Sequence, residues 1–95
     1  MRAYFSKTGD MRFVSHLDLI RLFQRASRRA GLGVAMTKGF SPRLKIAITR
    51  ALKLGVESKS EEIVFYMDED LKPQDFMEAL NRQLPSGITI WKAEY

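Results

Sequence analysis

Apolar and charged residues recur with helical spacing between Ser15 and Gly31. At about 100° per residue, apolar residues gather on one side of such a helix and arginines gather on the opposite side. The apolar side consists of Leu19, Leu22, Phe23, Ala26 and Ala30, and the charged side consists of Arg21, Arg25, Arg28 and Arg29. Ser15 is a favourable N-cap residue, and Gly31 stands where a left-handed C-cap residue is preferred. The pattern predicts an amphipathic helix with one side free to hold anions.

The rest of the chain predicts short strands and a second helix. Alternating or aromatic-rich runs indicate strands at 2–6, 34–37, 45–49, 61–67 and 88–93, with a brief extended piece at 11–14. Residues 34–37 and 45–49 are interpreted as the arms of one hairpin with its tip at 38–44, and Pro73 begins a helix that ends before Pro85. The order predicts one α+β domain over residues 1–95, with a ferredoxin-like split βαβ fold in which two helices cover one face of an antiparallel sheet of about four strands.

Charge is unevenly distributed along the 95 residues. The net charge is +5, but residues 1–56 carry twelve Lys and Arg against two Asp, a balance of +10, whereas residues 57–95 come to −5. Such asymmetry is typical of proteins that bind a polyanion, most often nucleic acid, and also of proteins that bind an acidic partner. The absence of cysteine excludes disulfides, thiolate zinc sites and a cysteine nucleophile, and agrees with a cytoplasmic location. No apolar run approaches the ~20 residues of a membrane-spanning helix, so no membrane is expected as partner.

Two basic features predict a surface for RNA. On the first helix, Arg21, Arg25 and Arg28 form a strip about 10 Å long that suits phosphate contacts, and no Asp or Glu neighbour is expected to neutralise it. In the segment K-G-F-S-P-R-L-K, Phe40 stands among cations, an arrangement that holds unpaired bases by stacking. Phe40 filling the core at a turn is an equally open interpretation. The predicted RNA-binding residues are Lys7, Arg12, Arg21, Arg25, Arg28, Arg29, Lys38, Phe40, Arg43 and Lys45.

Other residues carry weaker signals. His16, the one histidine, falls in the first turn of the helix; a packing role is favoured, and it is the one weak candidate for a general base. Glu57, Glu61 and Glu62 are interpreted as solvating a strand entrance and its exposed face. Trp91 is interpreted as a core residue, with stacking on a base as the alternative. Neither a metal nor a cofactor is expected.

Four stretches resemble a known family. The segments F-V-S-H-L-D-L, R-A-S-R-R-A-G-L, G-F-S-P-R-L-K and L-G-V-E-S, between about Tyr4 and Glu62, are similar to the radical SAM-linked domain family, a bacterial domain of unknown function. The resemblance covers the first part of that domain and implies a radical SAM protein or domain as partner. Where the family usually reads G-F-N-P-H-P-K, this chain carries Ser41 and Arg43, so the Asn and His are absent. A radical SAM centre itself needs three cysteines, which this chain lacks.

The function expected from these features is non-catalytic RNA binding, in which the domain presents RNA to a radical SAM partner. The alternative is a protein interaction module that docks its basic face onto an acidic surface of that partner. A distant alternative, by analogy of fold alone, is a metal-independent endoribonuclease similar to the CRISPR repeat-cleaving enzymes, with His16 as its base.

Overall fold

The computed structural model describes residues 1–51 and 53–95 and shows an α+β domain. Its elements are β1 (Arg2–Lys7), a 3-10 helix (Gly9–Phe13), α1 (His16–Arg29), β2 (Ile46–Ile48), β3 (Ser58–Phe65), α2 (Pro73–Asn81) and β4 (Ile88–Glu94). The four strands form one antiparallel sheet in the order β2-β3-β1-β4. Because β3 lies between β1 and β2, and β1 lies between β3 and β4, both halves of the chain form split βαβ units. The ferredoxin-like prediction is confirmed.

Both helices pack on the same face of the sheet. Phe23 of α1 lies between Phe5 and Phe65 of the sheet, with ring centroids 5.0 and 6.1 Å apart, and Phe65 also contacts Phe76 of α2 at 4.9 Å. All four rings are fully buried and meet edge to face, the arrangement that the ring quadrupole favours. The core beneath the helices is completed mainly by Ala3, Leu19, Ala26, Ile63, Leu80, Ile88 and Ile90. In the part of the chain that the structure describes, no helix covers the opposite face of the sheet.

The ends of α1 follow the local signals in the sequence. The Ser15 hydroxyl oxygen accepts a hydrogen bond from the Asp18 backbone N–H at 3.1 Å, which satisfies one of the free donors of the first turn. At the other end, Gly31 has φ +69° and donates to the Arg28 carbonyl, while Leu32 donates to the Ser27 carbonyl. These two bonds are the Schellman pattern that terminates helices at glycine.

The hairpin and the first loop differ in part from the prediction. Residues 34–37 form no regular strand, because Val34 and Met36 make only isolated bridges, to Met67 and Leu44 respectively. The Ala35 N–H donates to the Tyr66 carbonyl at the end of β3, and the Ala35 carbonyl accepts from the Lys45 N–H at 2.7 Å, so this segment pairs with the predicted second arm and also with the end of β3. The piece expected to be extended at 11–14 is mostly the 3-10 helix, which begins at Gly9 with φ +61°.

The uncovered face of the sheet carries aromatic residues. Tyr4 of β1 and Trp91 of β4 lie with ring centroids 5.8 Å apart, and the Lys92 ammonium lies 5.5 Å from the Tyr4 centroid. Trp91 is 48% exposed, so its expected place in the core is wrong. The core face of β4 is taken by Ile88 and Ile90, which leaves Trp91 on the opposite side.

Candidate nucleic-acid interface

The four arginines of α1 all reach solvent, but they differ in their partners. Arg21 lies 3.5 Å from the Asp18 carboxylate one turn earlier. The expectation that no acidic neighbour faces the row is therefore wrong for this residue, since Asp18 serves both the helix start and Arg21. Within the described residues, Arg25, Arg28 and Arg29 have no carboxylate within 4.0 Å. Three uncompensated guanidinium groups thus remain along the outer side of α1.

Phe40 lies at the tip of the loop between Thr37 and Lys45 and is fully exposed. The base of this loop is held by two hydrogen bonds, from the Thr37 N–H to the Arg43 carbonyl at 2.7 Å and from the Arg43 N–H to the Thr37 hydroxyl at 3.0 Å. Of the two interpretations of Phe40, the structure excludes the core. Phe40 therefore contributes nothing to the core, and its ring is available for contacts with another molecule.

The loop and α1 form the two sides of one shallow groove. Leu17 and Gln24 line the helix side, while Lys38, Phe40 and Arg43 line the loop side. The Gln24 side-chain amide donates to the Leu44 carbonyl at 3.4 Å, a long hydrogen bond that connects the two sides. Leu17 is half exposed in this groove, so the groove contains both apolar and cationic groups.

Lys45 connects this region with the uncovered sheet face. Its ammonium lies 4.6 Å from the centroid of the exposed Tyr66 ring, within cation–π distance. The preceding residue, Leu44, is buried, so the alternation of the chain turns Lys45 to the opposite side of the backbone. Lys45 also lines the groove that contains Lys38, Phe40 and Arg43.

Two predicted RNA-binding residues are engaged elsewhere. Lys7 is fully buried beneath the start of α1, where its ammonium donates to the Val14 carbonyl at 3.0 Å. Burial lowers the pKa of Lys7, an effect that the nearby charge of Glu61 partly opposes. Because its side chain has no access to solvent, Lys7 is not part of a binding surface. Arg12 donates to the Gly9 carbonyl at 2.8 Å and lies over the Phe13 ring at 4.3 Å, so it braces the 3-10 helix.

Glu61 also lies in an unexpected place. Its carboxylate is buried on the helix-covered side of the sheet and accepts two hydrogen bonds from the Arg50 guanidinium, at 2.8 and 3.1 Å. The Ser58 hydroxyl donates to it at 2.8 Å. The hydrogen bonds from Arg50 lower the pKa of Glu61; burial opposes them, and Ser58 and the charge of Lys7 assist. The solvating role expected for Glu61 is wrong, because the alternation of β3 places it on the same side as Ile63 and Phe65.

The other two carboxylates each have a structural partner. Glu57 accepts a hydrogen bond from the Gly9 N–H at 2.7 Å. Glu62 lies on the uncovered face, where it accepts from the Thr49 hydroxyl at 2.9 Å and lies 3.6 Å from Arg2.

His16 is half buried at the first position of α1. Its Nδ1 atom is buried and has no hydrogen-bond partner in the part of the chain that the structure describes. An inward-facing ring nitrogen without an orienting partner is a poor arrangement for a general base. The geometry therefore favours the packing role for His16.

Arg82 was missed by sequence reasoning. It follows the last residue of α2 and lines a groove with Arg25 and Arg29 of α1. The sequence around Arg82 does not predict this contact with α1, because the sides on which the two helices meet depend on how both pack on the sheet. The four arginines of α1 therefore fall into two pairs. Arg25 and Arg29 line the groove beside α2, and Arg21 and Arg28 lie outside it.

The chain matches one family model over residues 1–95, that of a family described as uncharacterized protein conserved in bacteria (DUF2344). No curated protein and no solved structure matches the chain significantly. Neither helix in the described part is both long and apolar enough to cross a membrane.

Proposed function

The chain belongs to the DUF2344 family of bacterial proteins, and we propose that it is an RNA-binding domain. The proposed loop–helix surface consists of Lys38, Phe40 and Arg43 on the loop and Arg21, Arg25 and Arg28 on α1. In this proposal an unpaired base stacks on Phe40, Lys38 and Arg43 beside it contact the nearest phosphates, and the arginines of α1 contact phosphates farther along the RNA. The domain binds without catalysing a reaction on the RNA.

The observation that carries the proposal is the full exposure of the Phe40 ring between two cations. Aromatic rings bind unpaired bases through their faces, and stacking contributes about 1–3 kcal/mol per base. Arginine guanidinium groups bind phosphate oxygens through two parallel hydrogen bonds. The groove brings both types of group within one concave surface.

Binding is tested by fluorescence anisotropy with labelled single-stranded RNA, hairpin RNA and duplex DNA between about 0.05 and 0.2 M salt. We expect RNA with unpaired bases to bind best and to keep a preference over duplex DNA at the higher salt. Phe40→Leu should weaken RNA binding about tenfold, because an aliphatic side chain does not stack on a base. Weak binding to all three nucleic acids that disappears with salt would contradict a recognition site.

The contribution of α1 is tested by replacing Arg21, Arg25 and Arg28 together with Ala. The salt dependence of RNA binding, as the slope of log K against log salt, should fall by about 2, since each phosphate contact to a single strand contributes about 0.7. The matched control replaces Lys53, Lys59 and Lys92, three exposed lysines outside the loop–helix surface, and removes the same net charge. Equal effects of the two triple variants would mean that net charge, and not this surface, determines binding.

The resemblance to the radical SAM-linked domain supplies the partner of the proposal, a radical SAM protein or domain to which the RNA is presented. The alternative, docking of the basic face on an acidic protein surface, is favoured by the exposed Leu17 inside the groove. Pull-down of a partner by this domain distinguishes the two. A complex that is lost after nuclease treatment supports RNA as the link, and one that persists and depends on Leu17 supports direct docking.

A further inference from the structure

A second basic groove lies between α1 and the end of α2, apart from Phe40. It is lined by Leu22, Ala26, Leu84 and Pro85, with Gln83 and three arginines, Arg25, Arg29 and Arg82, around them. Arg25 and Arg29 are one turn apart, so their Cα atoms are about 6 Å apart along the helix axis. Arg82 comes from the other helix. Three guanidinium groups from two elements therefore line one depression together with apolar side chains.

The carboxylates closest in sequence to these arginines are engaged with other side chains. Glu78, one turn before Arg82, accepts a hydrogen bond from the Gln74 side-chain amide at 3.0 Å. Asp18 lies 3.5 Å from Arg21. In the described part of the chain, no ion pair reaches Arg25, Arg29 or Arg82. Three like charges without a carboxylate partner among the described residues line this groove, and together they attract an anion to it.

The helix dipoles explain only part of the cluster. Arg29 is the last residue of α1 and Arg82 follows the last residue of α2, and cations are favourable at both of these helix ends. Arg25 lies more than one turn inside α1, where the dipole offers little. Arg28 shares the last turn of α1 with Arg29 and yet lies outside the groove. Stability of the helix ends therefore does not require three arginines on this side.

We infer that this groove binds a phosphate group. Arginine binds phosphate through two parallel hydrogen bonds, and three guanidinium groups offer enough donors for all of its free oxygens. The inference rests on the proposed function for one source of the phosphate, the RNA backbone beyond the base that stacks on Phe40. A free phosphate or diphosphate compound presents the same chemistry. The groove is shallow and open to water, so the affinity for one group alone is modest.

The test follows the arginine side-chain Nε–H signals by NMR while inorganic pyrophosphate is added at low salt. We expect the signals of Arg25, Arg29 and Arg82 to shift together and to saturate. Arg82→Gln should weaken pyrophosphate binding about five- to tenfold, because one of three charged contacts is lost. The control Arg2→Gln removes an exposed arginine of the uncovered sheet face and should leave the affinity unchanged. Arg82 is exposed, so its replacement leaves the core intact, which thermal unfolding of the variant verifies.

Labelled RNA and the same variants identify the source of the phosphate. If Arg82→Gln weakens both pyrophosphate and RNA, the groove holds a phosphate of the RNA backbone. If it weakens pyrophosphate alone, the groove holds a free phosphate compound. Small shifts of equal size at all arginines, without saturation, would overturn the inference. In that case the weakening of RNA binding by Phe40→Leu would still decide the proposed function separately.

Discussion

Lys7, Glu61 and Arg50 show how a small domain places charges inside its fold. Lys7 and Glu61 both lie on the helix-covered side of the sheet, and the exposed Arg50 guanidinium forms an ion pair with Glu61. A buried carboxylate is tolerated only when its hydrogen bonds are satisfied, which Arg50 and Ser58 accomplish. These charges therefore belong to the stability of the domain and not to its binding surface.

The pKa of Glu61 gives a prediction for the pH dependence of stability. Hydrogen bonds from Arg50 hold this pKa below its ordinary value in the folded protein. The resulting stabilisation is complete above the pKa that Glu61 has in the unfolded chain. It is lost as the pH falls through the lower pKa that Glu61 has in the folded protein. Glu61→Gln should therefore reduce the free energy of unfolding by about 1–2 kcal/mol near neutral pH and by less in acid.

Urea unfolding of the wild type and Glu61→Gln from neutral to acidic pH measures this difference. The control is Glu62→Gln, the neighbouring residue on the uncovered face, where exposed ion pairs contribute little. A loss of the same size at every pH would contradict the account, because it would not depend on the charge of Glu61.

Some residues could be placed from the sequence and others could not. Lys7 continues the alternation of Ala3 and Phe5, and Glu61 that of Ile63 and Phe65, so an available signal indicated that both face inward. Phe40 was different. Whether a loop aromatic faces the core or water depends on how the loop lies on α1, which no local pattern encodes.

At the scale of elements, the ends of helices were the most predictable features. The N-cap at Ser15 and the Schellman pattern at Gly31 depend on residues within one turn, so the sequence alone located α1 correctly. The segment at 34–37 pairs with residues 43–45, as the predicted hairpin requires, and it also bonds to Tyr66 at the end of β3, which is distant in sequence. That second pairing depends on the tertiary structure and not on the local pattern.

The connection between α2 and β4 contains a glycine that no other residue replaces easily. Gly87 has φ +97°, and a Cβ atom there would lie 2.6 Å from the Thr8 carbonyl oxygen. The Thr8 N–H in turn donates to the Gly87 carbonyl at 2.8 Å, so the two segments are held close together. Gly87→Ala should lower the free energy of unfolding by about 1–3 kcal/mol through backbone strain and this close contact.

Thermal unfolding of Gly87→Ala and of a matched variant, Gly55→Ala, separates the two causes. Gly55 also has a positive φ, +82°, but its nearest neighbour would be the Phe13 ring at 3.8 Å, an ordinary contact. Gly55→Ala should therefore lose only the strain contribution. Equal losses in the two variants would show that the contact with Thr8 contributes nothing.

At the scale of the whole molecule, the fold separates two faces with different surfaces. The helix-covered side carries the arginines of α1 and the cations of the Phe40 loop, mostly without acidic partners among the described residues. The uncovered sheet face carries Tyr4 and Trp91, and several of its charges are paired, as in Arg2 with Glu62 and Lys92 with Glu94. A polyanion is therefore attracted to the helical side, although both sides expose aromatic rings.

The charge asymmetry of the sequence and the predicted fold class indicated only in part that a cationic helical side and an uncovered sheet face would be separate. The excess of cations in residues 1–56 indicated a polyanion, and the split βαβ order indicated two helices on one face. The sequence did not show that Arg82 of the acidic part joins Arg25, since that contact depends on how two helices pack on a common sheet.

The most direct test of the proposed RNA-binding surface is an amide NMR map of the 95-residue domain titrated with single-stranded RNA. We expect the largest shifts at Lys38, Phe40 and Arg43 and along the outer side of α1, with the Trp91 indole N–H unchanged. The largest shifts at Tyr4 and Trp91 would instead place the RNA on the uncovered sheet face, and would contradict the account.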